Sequence, residues 1–195
     1  MSKDVAAVIL AGGAGKRIGG AKPLRRLGGE RLIDRAVRQA RGWSDAVAVA
    51  VREAAQVQPV DAGLVHDEPG VAGPLAALIA GLRFARTEGR SLLLTIPADT
   101  PFLPADLLER LLEAIGDHGC ALAASGGQLH PVCGLWRTEL LEKVPDYLSS
   151  GRRSLKGFAE LAGHVAVEWQ GGPSDPFLNI NTAADLVRAE RRSTS

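Results

Sequence analysis

The segment that most constrains the fold is a short apolar run that leads directly into glycines. Residues Val5–Leu10 are apolar at every position, which is typical of a strand buried on both faces of a parallel sheet. The stretch from Leu10 to Lys22 then contains five glycines and three cations. Glycines at the exit of a buried strand let main-chain N–H groups approach an anion closely. The pattern therefore predicts an α/β fold with an anion-binding loop after its first strand.

Strand-like and helix-like segments alternate through the first half of the chain. Further strands are predicted at Ala46–Val51, Leu64–His66 and Ser91–Ile96, and helices over residues 31–41, from Gly73-Pro74 and from Pro104. This alternation is typical of a mostly parallel sheet that is covered by helices on both faces and binds ligands at the carboxyl ends of its strands. The sequence therefore predicts a three-layer, Rossmann-like α/β fold.

The second half of the chain is less regular, and its pattern leaves the topology open. Strands are predicted at Cys120–Ala124, His130–Trp136 and His164–Trp169, and helices at Thr138–Tyr147, Ser154–Ala162 and from Thr182 to Arg191. Neither an internal repeat nor a linker interrupts the 195 residues. We therefore expect a single domain over residues 1–195.

Composition and charge exclude several classes of protein. Lys and Arg together number 23 against 22 for Asp and Glu, so there is no overall basic field of the kind that binds nucleic acid. The apolar start is too short for a secretory signal and no apolar run reaches about 18 residues, so we expect a cytoplasmic protein with no membrane span. Cys120 and Cys133 lack the spacing of a zinc site or a disulfide framework and are predicted to be buried thiols.

The glycine-rich loop carries its cations close to its glycines. Gly12 and Gly13 allow main-chain contact with phosphate oxygens, whereas Arg17 and Lys22 can neutralise the charge of a triphosphate. The loop matches neither G-x-x-x-x-G-K-[ST] nor a clean G-x-G-x-x-G, so the P-loop and dinucleotide fingerprints fit poorly. The alternative is a merely flexible basic loop, which has no reason to follow a buried strand directly. We therefore interpret Arg17 and Lys22 as electrostatic catalysts that act on a nucleoside triphosphate.

Asp99 follows the predicted strand Ser91–Ile96 and stands between Pro97 and Pro101, which stiffen the chain around it. A carboxylate at such an edge is a ligand that Mg²⁺ prefers when the ion also binds phosphate oxygens and water. The alternative is an Asp that stabilises a turn or caps a helix. Because the triphosphate loop is expected at the same edge of the sheet, we predict that Asp99 is a magnesium ligand.

A third candidate position lies where Asp67 follows a strand and Gly73-Pro74-Leu75 opens a helix. A carboxylate can accept hydrogen bonds from the ring and exocyclic N–H groups of a base, which favours guanine, and Leu75 can pack on the base plane. Capping or simple solvation is the rival interpretation. In the second half of the chain, His130 and the pair Asn179 and Asn181 are candidates to face an acceptor, although structural roles such as Asx turns are common for such residues.

The order and spacing of these motifs resemble those of the molybdenum cofactor guanylyltransferases, within the wider group of Rossmann-like nucleotidyltransferases, over nearly the whole chain. The opening signature, which many nucleotidyltransferases share, is matched by Leu10-Ala11-Gly12-Gly13, Arg17-Ile18-Gly19 and Lys22. More specific to the guanylyltransferases are Gly73-Pro74-Leu75-Ala76, Asp99-Thr100-Pro101, His130-Pro131 and Asn179-Ile180-Asn181-Thr182.

The resemblance implies transfer of GMP from GTP to the terminal phosphate of molybdenum-molybdopterin, with molybdopterin guanine dinucleotide and pyrophosphate as products. It implies that Asp99 binds both GTP and Mg²⁺, and that Asn179 and Asn181 lie on the pterin side. The remaining contacts to GTP would come from Leu10, Ala11, Gly12, Lys22 and Asp67. The N-terminal half would thus bind the nucleotide and the C-terminal half the acceptor, and a molybdoenzyme or its chaperone would be a further partner.

Other functions share part of this pattern. A cytidylyltransferase that acts on the same cofactor, or a sugar-phosphate nucleotidyltransferase, would keep the loop and the metal but differ at Asp67 and in the acceptor half. A nucleotide-binding regulator without turnover is the alternative from a different class, and release of pyrophosphate would exclude it. Val49 falls where some guanylyltransferases place an Asn that contacts the nucleotide, so no such role is assigned to it.

Overall fold

The structure, a computed structural model, describes residues 3–12, 22–172 and 175–193. Its strands are β1 (Val5–Leu10), β2 (Arg26–Leu27), β3 (Glu30–Arg31), β4 (Ala46–Val51), β5 (Gly63–His66), β6 (Leu92–Pro97), β7 (Cys120–Ser125), β8 (Gln128–Arg137) and β9 (His164–Trp169). Its α-helices are α1 (Leu32–Trp43), α2 (Pro74–Thr87), α3 (Leu107–Ile115), α4 (Val144–Ser149), α5 (Leu155–Ala162) and α6 (Ala183–Ser193). Short 3₁₀ helices are formed by Lys22–Leu24, Ala54–Gln56 and Thr138–Lys143.

Seven strands of the described residues form one sheet in the order β5-β4-β1-β6-β8-β7-β9, and β2 and β3 pair separately. The first four strands of this order are parallel to one another. β8 is antiparallel to both β6 and β7, whereas β9 is parallel to β7. The topology that the sequence left open is therefore a mixed second half attached through β8, and the predicted mostly parallel sheet is confirmed.

The sheet has helices on both faces because side chains alternate along its strands. In β1, Val5, Ala7 and Ile9 pack into the core beneath α1 and α3, whereas the intervening residues pack into the core beneath α2, α4 and α5. Every residue of β1 is buried, as expected of a strand covered on both faces. The predicted three-layer arrangement is confirmed.

Most predicted elements are present, with local differences that proline explains. The helix predicted from Pro104 begins later, at Leu107, whose N–H donates to the Pro104 carbonyl at 3.1 Å, so this proline lies in the preceding turn. The helix predicted over Thr138–Tyr147 is divided into a 3₁₀ helix and α4. Pro145 lacks an N–H and fits only in the first turn of a helix, which requires α4 to begin just before it.

The described residues also show the state of the cysteines and the start of α6. Cys120 and Cys133 are buried and form no disulfide, and burial raises the pKa of the Cys120 thiol to about 12. Thr182 caps α6, because its hydroxyl accepts from the Asp185 N–H at 3.1 Å. Within the residues that the structure describes, no helix is both long and apolar enough to cross a membrane.

Candidate functional site

A cleft of about 490 Å³ opens at the carboxyl ends of the parallel strands. One wall comes from the residues that follow β1, β4, β5 and β6 and from the start of α2. The facing wall comes from the first half of β8 and from Phe177 and Asn179, which precede α6. The sheet thus brings the two halves of the chain together at the edge where ligands bind in folds of this kind.

Asp99 lies at the end of β6 and is the centre of a group drawn from three parts of the chain. Lys22 donates through Nζ to the Asp99 carboxylate and, at 2.7 Å, to Oδ1 of Asn181. The Ile180 N–H donates to the Asp99 main-chain carbonyl at 2.9 Å, which fixes the segment before α6 against the end of β6. The Lys22 and Asp99 side chains are only 14% and 21% exposed, so their charges interact with little screening by water.

The second predicted Asn joins the same group through Thr100. The Thr100 hydroxyl donates to Oδ1 of Asn179, and it lies 3.5 Å from the Asp99 carboxylate. The residues predicted to bind the metal and the acceptor are therefore neighbours, although Asp99 and Asn179 are far apart in sequence. The sequence did not predict this contact, because two surface-loop motifs carry no periodicity that relates them.

The oxygen atoms of this group fit a hard divalent cation. Across the described ranges, no three His, Cys, Asp or Glu side chains are clustered as an all-protein metal site would require. Asp99 contributes a carboxylate beside the oxygen-bearing side chains of Thr100, Asn179 and Asn181. Mg²⁺ is commonly held in this way, by one or two carboxylates with substrate phosphates and water completing its shell.

Asp67 lies just after β5, on the wall formed by the ends of the parallel strands, and its carboxylate is largely buried. Its main-chain N–H donates to the Val51 carbonyl at 2.9 Å, and its side chain is 9% exposed. The Oδ1 atom is buried and has no hydrogen-bond partner among the described residues, whereas Oδ2 lies 3.8 Å from the Arg52 guanidinium. Burial raises the pKa of the Asp67 carboxyl, opposed by the charges of Arg52 and His66. Among the described residues, the buried Oδ1 is therefore an acceptor whose hydrogen-bonding capacity is unused in the free protein.

Arg52 also lines the cleft, although it was not predicted from the sequence. It is the first residue after β4, so its position at the carboxyl end of a predicted parallel strand was the available signal. Val49, in contrast, is fully buried in β4 and cannot contact a ligand in the cleft.

The loop after β1 passes close to Asp67. A Cβ atom on Gly12 would lie 3.4 Å from Asp67 Oδ2, and both Leu10 and Gly12 line the cleft. Ala11 is buried, and its N–H donates to the Ala50 carbonyl at 3.1 Å. The predicted residues Gly13 and Arg17 lie outside the described residues.

The prediction that the Leu75 side chain packs on a base is wrong. Leu75 is fully buried in the core between α2 and the sheet and does not line the cleft. Pro74 and Ala77, which lie in the first turn of the same helix, line the cleft instead. Gly73, which precedes Pro74, adopts a φ of 76°, a conformation that glycine accommodates without strain.

His130 lies on the facing wall, where it contacts residues that were not predicted from the sequence. Its Nε2 is 2.7 Å from the Ser125 hydroxyl, which in turn donates to Oδ2 of Asp175 at 2.8 Å. The imidazole stacks on Phe177 with ring centroids 4.8 Å apart. Burial lowers the pKa of His130, opposed by the charges of Asp175 and Glu168. The only signal for Ser125 was a polar residue that ends an apolar strand.

Comparisons with known proteins agree over most of the chain. A family model described as the MobA-like NTP transferase domain matches residues 7–167. A molybdenum cofactor guanylyltransferase from Cereibacter sphaeroides is 38% identical over 185 residues, covering 94% of this chain and 94% of the relative. Another from Bradyrhizobium sp. is 39% identical over 195 residues, covering 96% of this chain and 92% of the relative.

Solved structures show the same fold. The crystal structure of molybdopterin-guanine dinucleotide biosynthesis protein A from Archaeoglobus fulgidus matches with a TM-score of 0.76 and 22% sequence identity. The match covers 97% of this chain and 98% of that protein. The predicted nucleotidyltransferase fold is thereby confirmed.

Proposed function

The chain belongs to the molybdenum cofactor guanylyltransferases among the MobA-like NTP transferases, and we propose that it transfers GMP from GTP to the terminal phosphate of molybdenum-molybdopterin. The products are molybdopterin guanine dinucleotide and pyrophosphate. The observation that carries the proposal is the group formed by Asp99, Lys22 and Asn181 at the mouth of a cleft with two walls. One wall offers contacts for a nucleotide, and the other offers contacts for an acceptor.

The reaction needs two reactants held in line and their charges neutralised. An oxygen of the acceptor phosphate forms a bond to the α-phosphorus of GTP, the bond to the β-phosphate oxygen breaks, and pyrophosphate leaves with the electron pair. No covalent intermediate with the enzyme is required. Catalysis of this kind rests mainly on positioning and electrostatic stabilisation. We assign the neutralisation of phosphate charge to Lys22 and, in the loop, to Arg17.

We propose that Mg²⁺ is the divalent ion and that Asp99 holds it together with phosphate oxygens of GTP. A bound ion of this kind neutralises phosphate charge and activates the phosphorus towards attack. The hydrogen bonds that Lys22 donates to Asp99 and Asn181 hold its ammonium group beside the carboxylate, which supports this assignment. We assign contact with the phosphates to the loop that follows β1, from which Leu10 and Gly12 line the cleft.

Asp67 favours guanine over cytosine on chemical grounds. Guanine presents two adjacent donors, the ring N1–H and the exocyclic amino group, which match the two oxygens of a carboxylate. Cytosine presents one amino group beside a ring nitrogen lone pair, which would repel the second oxygen. The unpaired Oδ1 of Asp67 supports the assignment of a base-binding role to this residue. A cytidylyltransferase is therefore the weaker alternative.

The facing wall is assigned to the acceptor, with His130 and Asn179 as contacts and Asn181 at the junction with Lys22. The alternative acceptor is a sugar phosphate. His130 stacked on Phe177 is better suited to contact a planar heterocycle than a sugar ring. A cytoplasmic location and delivery to a molybdoenzyme or its chaperone stay predictions.

The substitution Asp99→Asn tests the proposal because it keeps the size of the side chain and removes its charge. We expect kcat for pyrophosphate release to fall roughly 100-fold or more, the scale seen when one electrostatic group is removed from an active site. Asp61→Asn is the matched control, since Asp61 is 90% exposed and pairs with Arg41 away from the cleft. Wild-type turnover by the Asp99→Asn variant would show that the site is assigned wrongly.

A further inference from the structure

Ser125, at the end of β7, is hydrogen-bonded to both His130 and Asp175. The proposed mechanism assigns no role to this pair of contacts. The Ser125 side chain is buried between Nε2 of His130 at 2.7 Å and Oδ2 of Asp175 at 2.8 Å. A hydroxyl has only one hydrogen to donate, and an ionised carboxylate can only accept. The Ser125 hydrogen therefore goes to Asp175, and the Ser125 oxygen must accept from an N–H at Nε2. The direction of one hydrogen bond thus determines where His130 carries its proton.

Asp175 is itself held in a fixed orientation. Its Oδ1 accepts from the Phe177 N–H at 2.8 Å, so both carboxylate oxygens are engaged. The Arg192 guanidinium donates to the Asp175 main-chain carbonyl at 2.8 Å, which ties this turn to α6. Because Oδ1 faces a donor, the carboxylate cannot rotate without losing a hydrogen bond.

The imidazole ring is also fixed by stacking. Phe177 stacks on His130 with ring centroids 4.8 Å apart, and Trp169 packs edge to face against Phe177 with centroids 5.4 Å apart. The Arg110 guanidinium covers Trp169 at 4.2 Å. The ring therefore has little freedom to turn its Nδ1 away from the direction it faces.

Nδ1 is the remaining polar atom of His130. His130 lines the cleft, and among the described residues its Nδ1 has no hydrogen-bond partner and is not a buried atom. Burial lowers the pKa of this imidazole, so the neutral form with a lone pair on Nδ1 predominates at pH 7. A lone pair repels phosphate oxygens and attracts an N–H or O–H donor.

We propose that Ser125 and Asp175 are positioning residues that hold neutral His130 with its proton on Nε2, so that Nδ1 accepts a hydrogen bond from an N–H donor of the acceptor's heterocycle. This inference rests on the proposed function where it assigns the wall to the acceptor. His130 would then discriminate between acceptors, because an acceptor without such a donor would leave Nδ1 unpaired and bind less tightly.

The tautomer is measurable without substrate or turnover. The chain has four histidines, so nitrogen-15 labelling of histidine gives few signals, and His130→Asn identifies the signal of interest. We expect a protonated Nε2 and an unprotonated Nδ1 in the wild-type protein. A proton on Nδ1 would overturn the inference.

Asp175→Asn supplies a test in which the tautomer should reverse. With the Phe177 N–H still holding the amide oxygen, the amide NH₂ would face Ser125 and donate to its oxygen, and the hydroxyl would then donate to Nε2. The proton of His130 would move to Nδ1. The substitution changes no side-chain volume, so loss of the fold is not expected, and an unchanged tautomer in a folded variant would contradict the inference.

Steady-state kinetics of variants at these positions show whether KM changes for the acceptor or for GTP. Asp175→Asn should raise KM for the acceptor roughly five- to tenfold, the loss of about one hydrogen bond, and leave KM for GTP unchanged. His130→Asn, which places an oxygen near the position of Nδ1, should bind the acceptor better than His130→Gln, which replaces only the Nε2 side. Equal effects of the two replacements, or a rise in KM for GTP alone, would count against the inference.

Titration with a simple pterin distinguishes this inference from the proposed function. We expect the Nδ1 signal of the labelled wild-type protein to shift when pterin is added and to stay in place when inorganic phosphate is added. If the protein makes no dinucleotide, the proposed function fails while this measurement still decides the role of His130. A response to phosphate but not to pterin would overturn the assignment of the donor.

Discussion

Under the proposed base-binding role, Asp67 is a residue at which ligand binding and the stability of the free protein have opposite requirements. Its side chain is 9% exposed, and its Oδ1 has no partner among the described residues. A buried carboxylate with an unpaired oxygen lowers the stability of the free protein. A base that donates two hydrogen bonds would remove this cost on binding, so under the proposed function the unpaired atom would favour a base with two donors.

Replacing Asp67 by Asn should therefore stabilise the free protein and weaken the binding of GTP. Burial raises the pKa of Asp67, so the cost of its charge is present above the raised pKa and disappears as the pH falls through it. The gain in Tm of Asp67→Asn over wild type should be largest near pH 7 and vanish at acidic pH. Calorimetry across this range, with KM for GTP at pH 7, measures both effects.

Asp67→Asn should raise KM for GTP about tenfold, because the amide offers one acceptor where the carboxylate offers two. A variant that is less stable than wild type at pH 7, or that binds GTP equally well, would contradict this account. Arg52→Gln is the matched comparison, since Arg52 lies 3.8 Å from the same carboxylate and its removal should make the cost of the buried charge greater.

At this scale the sequence predicted residue types better than contacts. Asp67 and Asp99 were selected because each follows a predicted strand, and the carboxyl ends of parallel strands share an edge. The pairing of Lys22 with both Asp99 and Asn181 depends on the path of loops, which has no periodic signal. Leu75 was misplaced although its spacing with Leu78 and Ile79 is that of the apolar face of a helix, which packs on the sheet.

Among the elements, α6 matters for the site because the hydrogen bonds at its start also hold Asn181. Asp185 accepts from the main-chain N–H groups of Asn181 and Thr182 at 3.0 and 2.8 Å, while the Thr182 hydroxyl accepts from the Asp185 N–H. Although burial opposes them, these hydrogen bonds and the one from Arg188 lower the pKa of Asp185 to about 2. The start of α6 therefore sets the position of Asn181, which contacts Lys22.

Two substitutions distinguish the effect of the helix cap on stability from the effect of the Asp185 hydrogen bond on the position of Asn181. Thr182→Ala removes only the hydroxyl and should lower the free energy of unfolding by about 1 kcal/mol without changing KM for either substrate. Asp185→Ala removes the hydrogen bond to Asn181 as well and should lower both stability and kcat. Chemical denaturation and steady-state kinetics measure the two outcomes, and equal kcat in the two variants would contradict the link between α6 and the site.

The pH dependence of this cap has a defined sign. The pKa of Asp185 is depressed in the folded protein, so its contribution is present above the ordinary Asp pKa near 4 and is lost as the pH falls towards 2. The difference in unfolding free energy between wild type and Asp185→Ala should therefore be constant near neutral pH and narrow below about pH 4.

Elements were predicted well where one pattern dominates. Ala46–Val51 has the predicted bounds because both faces of the strand are apolar, whereas the predicted Ser91–Ile96 is shifted by one residue to Leu92–Pro97. The split of the helix over Thr138–Tyr147 was missed because its apolar spacing continues through Pro145. The place of β8 between β6 and β7 could not be predicted, since pairing across a crossover is not visible in local periodicity.

For the whole molecule, β8 determines how the two halves of the chain are joined. It pairs with β6 from the first half and with β7 from the second, and each wall of the cleft is attached to this continuous sheet. We therefore propose that residues 1–195 form one domain and unfold as one cooperative unit. Separate movement of the walls would require hydrogen bonds of the sheet to break.

Calorimetry tests this cooperativity. We expect a single transition in which the calorimetric enthalpy equals the van't Hoff enthalpy. Leu135→Ala in β8 should shift the whole transition to lower temperature, because Leu135 is fully buried in the core of the sheet. Two resolved transitions, or a substitution that moves only part of the signal, would show that the halves fold separately.

The most direct test of the account is mass spectrometry of the product formed by the wild-type protein. The protein is incubated with molybdenum cofactor, Mg²⁺ and equal concentrations of GTP, CTP, ATP and UTP, and pyrophosphate is measured in the same reaction. The account predicts molybdopterin guanine dinucleotide as the main product, with one pyrophosphate released for each dinucleotide. A cytosine dinucleotide as the main product would contradict the role of Asp67, and no dinucleotide with any nucleotide would contradict the proposed function itself.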